Sequence, residues 1–325
     1  MTVSSFQQDA WDRLVSQLDR LPHALLLHGP QGVGKLELAE RFAQLVLCEA
    51  AKPREAPCGK CDGCRWFLAG HHPDVRFVEP ETIARRATID ESENAEKSKA
   101  KPSAEIKIEQ VRGLADFVNL GSHRGGRRIV IVHPAEAMNP SASNALLKSL
   151  EEPPGGAMFL LVSHRPARLL ATVRSRCVPV PVPLPGKAVA LAWLETQGVS
   201  DAARRLAFAG GAPLKALEDE NAGRGARADQ ILHALGLNDL ERLRGVRDRE
   251  ALELLAEVLQ RCAFDNALTS FGLPPKYGCD ALAEARTGRE WLAYARKLGK
   301  DRALARHPLN PGLHASAMLG GLPKK

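Results

Sequence analysis

Aromatic residues and long apolar runs are scarce in this chain of 325 residues. Phe, Trp and Tyr make up only 5% of it, which argues against a surface that binds single-stranded nucleic acid by stacking bases on aromatic rings. No apolar run reaches the roughly 18 residues that a membrane-spanning helix needs. Residues 1–19 also lack the continuous apolar stretch of a secretory signal. These absences predict a cytoplasmic protein.

Neither sign of charge dominates the sequence. The 45 basic and 38 acidic residues leave a net charge of +7, a modest excess that permits contact with nucleic acid without demonstrating it. Hydrophobic residues make up 44% and charged residues 26%. This is an ordinary globular balance, and it excludes a mainly disordered or fibrous chain. The length favours two or three domains.

Continuous apolar runs in the first half of the chain predict a parallel β-sheet. Residues 24–28, 129–132 and 159–162 are almost entirely aliphatic or aromatic, a pattern typical of strands that helices cover on both faces. Residues 75–78 form a shorter candidate strand. Three prolines restrict residues 178–184 to an edge strand or an extended exit from the sheet.

Helical patterns alternate with these runs and then replace them. The α/β domain is expected to span residues 1–185. Beyond it the sequence shows only helical periodicity, which predicts a small helical domain over 186–222 and a C-terminal helical domain over 223–325, with a hinge at the Gly-rich residues 221–225. Residues 79–107 are charged and nearly free of large hydrophobic side chains, and we expect most of them to form an exposed, mobile insertion.

A phosphate-binding loop pattern follows the first apolar run. Gly29, Gly32, Gly34 and Lys35 satisfy the spacing G-x-x-x-x-G-K. Glycines allow backbone N–H groups to surround phosphate oxygens, the helix that follows directs its positive end at them, and the lysine adds charge. The pattern is weak by itself, but a strand before it and a helix after it favour a nucleotide site.

Two parts of a hydrolytic nucleotide site are absent from the sequence. A Ser or Thr that binds Mg²⁺ is expected directly after the lysine, yet Leu36 occupies that position. An acidic pair is expected at the end of a neighbouring strand, yet residues 133–136 read His-Pro-Ala-Glu, and Glu136 lies beyond the expected position. These losses predict negligible hydrolysis by this chain alone, with ATP binding weak or absent.

Four of the seven cysteines are clustered. Cys48, Cys58, Cys61 and Cys64 follow the pattern C-x9-C-x2-C-x2-C, and clustering in a reducing compartment favours a metal over disulfides. Four thiolates suit a closed tetrahedral Zn²⁺ site. Since neither another ligand type nor a general base is evident nearby, we predict a structural zinc in an insertion over residues 48–75. The alternative is four cysteines that bind no metal.

Several motifs occur together in an order that resembles one family. Over about residues 6–217 the sequence resembles bacterial clamp-loader subunits of the AAA+ class, on the evidence of the phosphate loop, the four cysteines, Leu21-Pro22-His23-Ala24, His72-Pro73-Asp74, the segment NALLKSLEEPP at 144–154, and Ser175-Arg176-Cys177. The resemblance implies an α/β P-loop AAA+ domain, with a parallel sheet and helices on both faces, followed by an all-helical lid and a C-terminal helical collar domain. Within the family, the altered nucleotide site is most similar to subunits of the delta-prime type, and not to the gamma/tau motor subunits.

The resemblance changes the interpretation of Arg176. From the residues alone, Arg176 between Ser175 and Cys177 is most simply an ordinary surface arginine. In the family, the arginine of this motif projects into the ATP site of the adjacent motor subunit, which implies that Arg176 acts in trans. The lid segment at 210–215 has Lys215 but no arginine of the kind with which motor subunits sense nucleotide.

The resemblance also implies partners. These are gamma/tau-like motor subunits and a delta-like subunit of a hetero-oligomeric clamp loader, with the sliding clamp and primer–template DNA reached through the complex. The leading hypothesis is therefore a non-hydrolysing clamp-loader subunit of DNA replication.

Two other hypotheses remain open at the level of sequence. The alternative is an autonomous gamma/tau-like ATPase motor that tolerates Leu36, and ATP hydrolysis by the isolated chain that Lys35→Ala abolishes would identify it. A third hypothesis is a zinc-dependent nucleic-acid-binding module. It predicts salt-dependent DNA binding that is lost when Cys61 is replaced, although the basic residues form no obvious stripe.

Overall fold

The chain divides into two compact units, Met1–Pro185 and Gly186–Lys325, called here unit 1 and unit 2. A computed structural model describes residues 4–50, 56–84, 102–119, 126–279, 282, 286–305 and 310–322 of the protein. Within these ranges no helix combines the length and the apolar character that crossing a membrane would require.

Unit 1 contains a five-stranded parallel sheet. Its strands are β1 Ala24–His28, β2 Val75–Val78, β3 Arg128–Val132, β4 Ala157–Ser163 and β5 Val178–Pro181. They lie in the order β2-β3-β4-β1-β5, with every neighbouring pair parallel. The apolar runs supply the three inner strands, and every residue of β3 and β4 is buried. Strand β5 pairs on one side only, where its prolines are tolerated. The predicted parallel sheet is confirmed.

Helices cover both faces of this sheet. They are α1 Gln8–Val15, α2 Lys35–Leu47, α3 Asp62–Leu68, α4 Ile108–Arg112, α5 Leu114–Asn119, α6 Pro140–Glu151 and α7 Ala171–Arg174. Alternate strand residues such as Leu26, Val130 and Phe159 share a core with α4, α5 and α6. Helix α2 contacts β1, β3 and β4, and Trp11 of α1 packs edge-on against Phe42 of α2.

The segment expected to be an exposed insertion is tied into unit 1 at both described ends. Glu79 is buried, and Ile106 is fully buried. The backbone N–H of Ile106 donates to Ala137 at 2.9 Å, and its carbonyl accepts from Asn139 at 3.1 Å. The expectation is therefore wrong for these ends, because one isolated isoleucine carries a core contact that composition does not reveal. The part of the insertion at 85–101 lies outside the described residues.

Unit 2 is helical throughout its described residues. Its helices are α8 Lys187–Thr196, α9 Ala202–Phe208, α10 Pro213–Asn221, α11 Arg224–Gly236, α12 Leu240–Arg244, α13 Arg249–Ser270, α14 Gly288–Leu304 and α15 Pro311–Leu319. Helices α8 to α10 share a small apolar core, and α11 to α15 share a larger one that also takes in Phe208 of α9.

The residues of the predicted hinge at 221–225 form a tight corner between two helices. Helix α10 ends at Asn221 and α11 begins at Arg224, with Gly223 at φ 64° between them. Arg224 Nε lies 3.2 Å from the carboxylate of Asp219, and Arg224 Nη2 lies 3.0 Å from that of Glu257 on α13. The two carboxylates are buried and the arginine is partly buried, so the corner makes specific contacts, and the hinge itself stays a prediction.

Candidate functional site

The phosphate-binding loop connects β1 to α2 in unit 1. A Cβ atom on Gly29 would lie 2.0 Å from the backbone oxygen of Val182, so this position requires glycine. Gly34 has φ 81° and forms the N-cap of α2, and Lys35 is the first residue of that helix. The loop thus presents the N-terminus of α2 in the manner that the sequence predicts for a phosphate site.

Gln7 fixes the end of this loop. Its side-chain amide is buried and donates to the carbonyl oxygens of Val33 at 3.2 Å and Gly34 at 2.9 Å. Sequence reasoning missed Gln7, and no local motif marks it, because its partners lie 26 and 27 residues away. The short 3₁₀ helix Ser5–Gln7 is therefore tied to the candidate phosphate loop.

The side chain of Lys35 folds back onto the loop. Its Nζ donates to the carbonyl oxygen of Pro30, and the residue is only 2% exposed. Burial lowers the pKa of Lys35 to about 8, against the opposing influence of Glu136 and then Glu37. Leu36, the next residue, is buried and has no oxygen for a metal. The loop keeps its cation but lacks the hydroxyl that holds Mg²⁺ in active enzymes.

Two histidines and one hydrogen-bonded carboxylate lie at the carboxyl ends of β3 and β4. Glu136 accepts the backbone N–H of His164 at 2.9 Å, and His133 Nδ1 lies 3.3 Å from Glu79. The rings of His133 and His164 meet edge to face at 5.3 Å. Burial lowers the pKa of His164 to about 3, with Lys35 as the next cause, so this imidazole is neutral at pH 7. The charge of Glu136 acts on Lys35 and opposes the lowering of its pKa. The carboxylate of Glu136 nevertheless accepts its hydrogen bond from the backbone N–H of His164.

The four clustered cysteines converge at one point. All four Sγ atoms lie within 4.8 Å of one another, with Cys58 to Cys64 at 3.9 Å and Cys48 to Cys61 at 4.0 Å. In a tetrahedral site with Zn–S bonds of about 2.3 Å, sulfur atoms are about 3.8 Å apart. The donor set and its spacing therefore fit Zn²⁺. Residues 51–55, inside this insertion, lie outside the described part of the chain.

Backbone N–H groups surround these sulfur atoms. Cys61 Sγ accepts from Glu49 and Cys64, each at 3.4 Å, and it caps the N-terminus of α3. Bonds from the N–H groups of Lys60 and then Cys61 lower the pKa of Cys58 to about 6, whereas burial raises that of Cys64. Such bonds favour the thiolate form that binds a metal.

Arg176 lies on the surface just after α7. A 3₁₀ turn at Pro166–Arg168 precedes α7, with extended backbone at Leu169 after that turn. The guanidinium of Arg176 contacts the carboxylate of Glu151 at 2.6 Å and donates to the carbonyl oxygen of Thr172 at 2.9 Å. The side chain of Arg176 is 35% exposed.

Comparison with known proteins identifies the family. A family model described as DNA polymerase III, delta subunit, matches residues 6–185. The chain belongs to this family. It is 43% identical over 218 residues to the DNA polymerase III subunit delta' of Pseudomonas aeruginosa, a match that covers 66% of this chain and 60% of the relative. It is 38% identical over 175 residues to the subunit delta' of Yersinia pestis, covering 54% of this chain and 46% of the relative.

The matches extend over about half the length of these curated relatives. Among solved structures, a DNA polymerase III gamma subunit-related protein from Thermotoga maritima has a TM-score of 0.52 at 20% identity, covering 96% of this chain and 98% of that one. This likeness concerns the fold alone. The expected delta-prime resemblance is confirmed.

Proposed function

We propose that this chain is a non-hydrolysing clamp-loader subunit of DNA polymerase III. In this role it supplies Arg176 to the ATP site of a neighbouring motor subunit while the complex loads the sliding clamp on primed DNA. The observation that carries the proposal is the exposed guanidinium of Arg176, oriented by Glu151 and Thr172. Arginine suits this task because it is always charged and grips phosphate oxygens with several N–H groups.

The state of the chain's own nucleotide site supports the non-hydrolysing part of the proposal. Leu36 is buried where a Mg²⁺-binding hydroxyl is needed, and Glu136 is bonded to the N–H of His164. In unit 2, Lys215 forms an ion pair with Asp219 one turn along α10. A lysine held in this way is a poor nucleotide sensor.

Partners and domain roles follow from the family. We propose that the chain assembles with gamma/tau-like motor subunits and a delta-like subunit, and that it reaches the sliding clamp and primer–template DNA through that complex. Residues 186–222 would act as the lid and residues 223–325 as a collar that holds the ring together. The cysteines Cys48, Cys58, Cys61 and Cys64 would hold a structural Zn²⁺ that stabilises the insertion.

The test uses the full chain assembled with the motor and delta-like subunits of the same organism. Arg176→Ala should leave assembly intact but lower ATP turnover at the adjoining motor site by about 10³-fold or more, and clamp loading should slow with it. Arg174→Ala is the matched control, because Arg174 is an exposed arginine two residues away, at the end of α7, and bonds to the carbonyl oxygen of Pro166 instead. Unchanged clamp loading by Arg176→Ala would overturn the proposal.

One observation favours an autonomous gamma/tau-like motor as the second candidate. Gly34 and Lys35 are both present, and the loop has the conformation of a phosphate site. That candidate requires the isolated chain to hydrolyse ATP at a motor-like rate that Lys35→Ala abolishes. Absence of such turnover supports the first proposal.

A further inference from the structure

Two bonds from different elements orient the guanidinium of Arg176. Nη2 contacts Oε1 of Glu151, the last residue of α6, and Nη1 donates to the carbonyl oxygen of Thr172 on α7. A guanidinium carries five N–H donors in one plane. The two contacts fix that plane and leave other donors for an acceptor on another molecule.

The surroundings of Glu151 favour a cation at this point. Glu151 lies at the C-terminal end of α6, where the helix dipole adds negative potential to that of the carboxylate. Pro153 and Pro154 follow and end the helix there. The arginine therefore meets a carboxylate, a helix C-terminus and the carbonyl oxygen of Thr172, which also accepts from the Ser175 hydroxyl at 3.1 Å.

The ion pair between Arg176 and Glu151 can orient the guanidinium without binding it tightly. The carboxylate of Glu151 is 48% exposed, and ion pairs in contact with water contribute little net free energy. A nucleoside triphosphate carries several negative charges and can compete for the same guanidinium. The arginine can thus turn from Glu151 to a phosphate while Thr172 still limits its motion.

We propose that Glu151 is a positioning residue for Arg176, holding the guanidinium in the orientation from which it enters the ATP site of the neighbouring subunit. This inference rests on the proposed function of Arg176. Without Glu151 the long side chain samples more rotamers, and a smaller fraction of them is productive. ATP is bound by the phosphate loop of the motor subunit, so the loss appears in kcat and not in KM.

The experiment measures ATP turnover at the motor site that adjoins this chain, in the assembled loader with the other motor sites inactivated. Glu151→Ala should lower kcat about two- to fivefold, as expected for the loss of one solvent-exposed ion pair, with KM for ATP unchanged. Glu151→Gln should recover most of the rate, because its amide oxygen still accepts a bond from the guanidinium. Glu152→Ala is the matched control, because Glu152 is an adjacent exposed acid outside the ion pairs found in the described residues.

The double variant shows whether Glu151 acts through Arg176. Arg176→Ala with Glu151→Ala should have the rate of Arg176→Ala alone. A normal kcat for Glu151→Ala beside a slow Arg176→Ala overturns the positioning role only. A faster Glu151→Ala also overturns it, because the contact would then restrain the arginine. A normal rate for Arg176→Ala overturns the trans role and this inference together.

Discussion

Glu136 accepts a hydrogen bond from the backbone N–H of His164 at 2.9 Å, which joins the 3₁₀ turn Ala135–Ala137 that follows β3 to the residue directly after β4. Active nucleotide hydrolases place carboxylates at this edge of the sheet to hold Mg²⁺ and orient water. Here the carboxylate connects two strand ends. At this edge of the sheet, Glu136 therefore makes a structural hydrogen bond where active hydrolases have catalytic carboxylates.

Replacing Glu136 by alanine should destabilise unit 1. The bond to His164 has a charged acceptor, and such bonds contribute about 1.5–3 kcal/mol, so we expect a loss of about 1–2 kcal/mol after local relaxation. Glu136→Gln keeps an acceptor oxygen and should recover about half of the loss. Urea unfolding of the full chain measures both variants. Equal stability of Glu136→Ala and the parent chain would show that the bond contributes nothing.

Burial of Lys35 gives stability a particular dependence on pH. The pKa of Lys35 falls from its ordinary value of 10.5 to about 8 because burial disfavours the charged form. Between these values the unfolded chain binds more protons than the folded one, so stability rises with pH over that window. Below pH 8 the buried charge destabilises the fold in full.

Lys35→Met should therefore raise stability at pH 7 by about 1–3 kcal/mol, and the gain should shrink as the pH increases towards 10. Thermal or urea unfolding at pH 7 and pH 10 measures the difference between variant and parent. The exposed Lys148 on α6 supplies the control, and Lys148→Met should give no comparable gain. A gain that is constant between the two pH values would contradict the burial argument.

The elements that could be predicted are those whose signal is local. Residues 129–132 and 159–162 are buried on both faces, and continuous apolar runs reflect this directly. The spacing of Cys58, Cys61 and Cys64 is likewise a local signal, because these residues lie in the loop before α3 and in the first turn of that helix. The convergence of four sulfur atoms follows from such spacing.

The remaining site contacts join residues far apart in sequence. Glu136 and His164 meet because β3 and β4 are neighbours, and Arg176 meets Glu151 across α6 and α7. Strand order and helix packing decide these pairs, and neither can be read from one sequence without a family pattern. Glu151 was visible within the motif at 144–154, but nothing in the motif indicated its partner.

Replacing Cys61 should remove the metal from the cysteine cluster. The intact chain should bind about one zinc ion, by the four-ligand rule, and Cys61→Ser should bind none with useful affinity. The melting temperature should fall because the insertion loses the metal that holds it together, while the serine hydroxyl can still cap α3 in place of the sulfur. Metal analysis after gel filtration measures both chains. Cys177→Ser is the control, since Cys177 is buried outside the cluster, and it should keep its zinc. A metal-free parent chain with an unchanged fold would refute the zinc assignment.

The carboxylate of Glu257 is the centre of a buried ion-pair network in unit 2. Its side chain is 3% exposed, and Oε2 lies 3.0 Å from both Arg224 of α11 and Arg302 of α14, while Oε1 contacts Arg261. Burial alone would raise the pKa of Glu257, but the arginines, with Lys215, overcome this and lower it. Its contribution to stability is therefore present at neutral pH and is lost as the pH falls through that lowered value.

Glu257→Gln should destabilise unit 2 by about 3–5 kcal/mol, because it leaves three arginines beside an uncharged partner. The variant should also lose part of the acid sensitivity of the parent chain. Glu250→Gln is the matched control, since Glu250 on the same helix pairs with Arg227 at 2.8 Å but is 57% exposed, and exposed pairs contribute about 1 kcal/mol or less. Urea unfolding at pH 7 and pH 4 separates the two effects. Equal losses for the two variants would mean that burial adds nothing to the network.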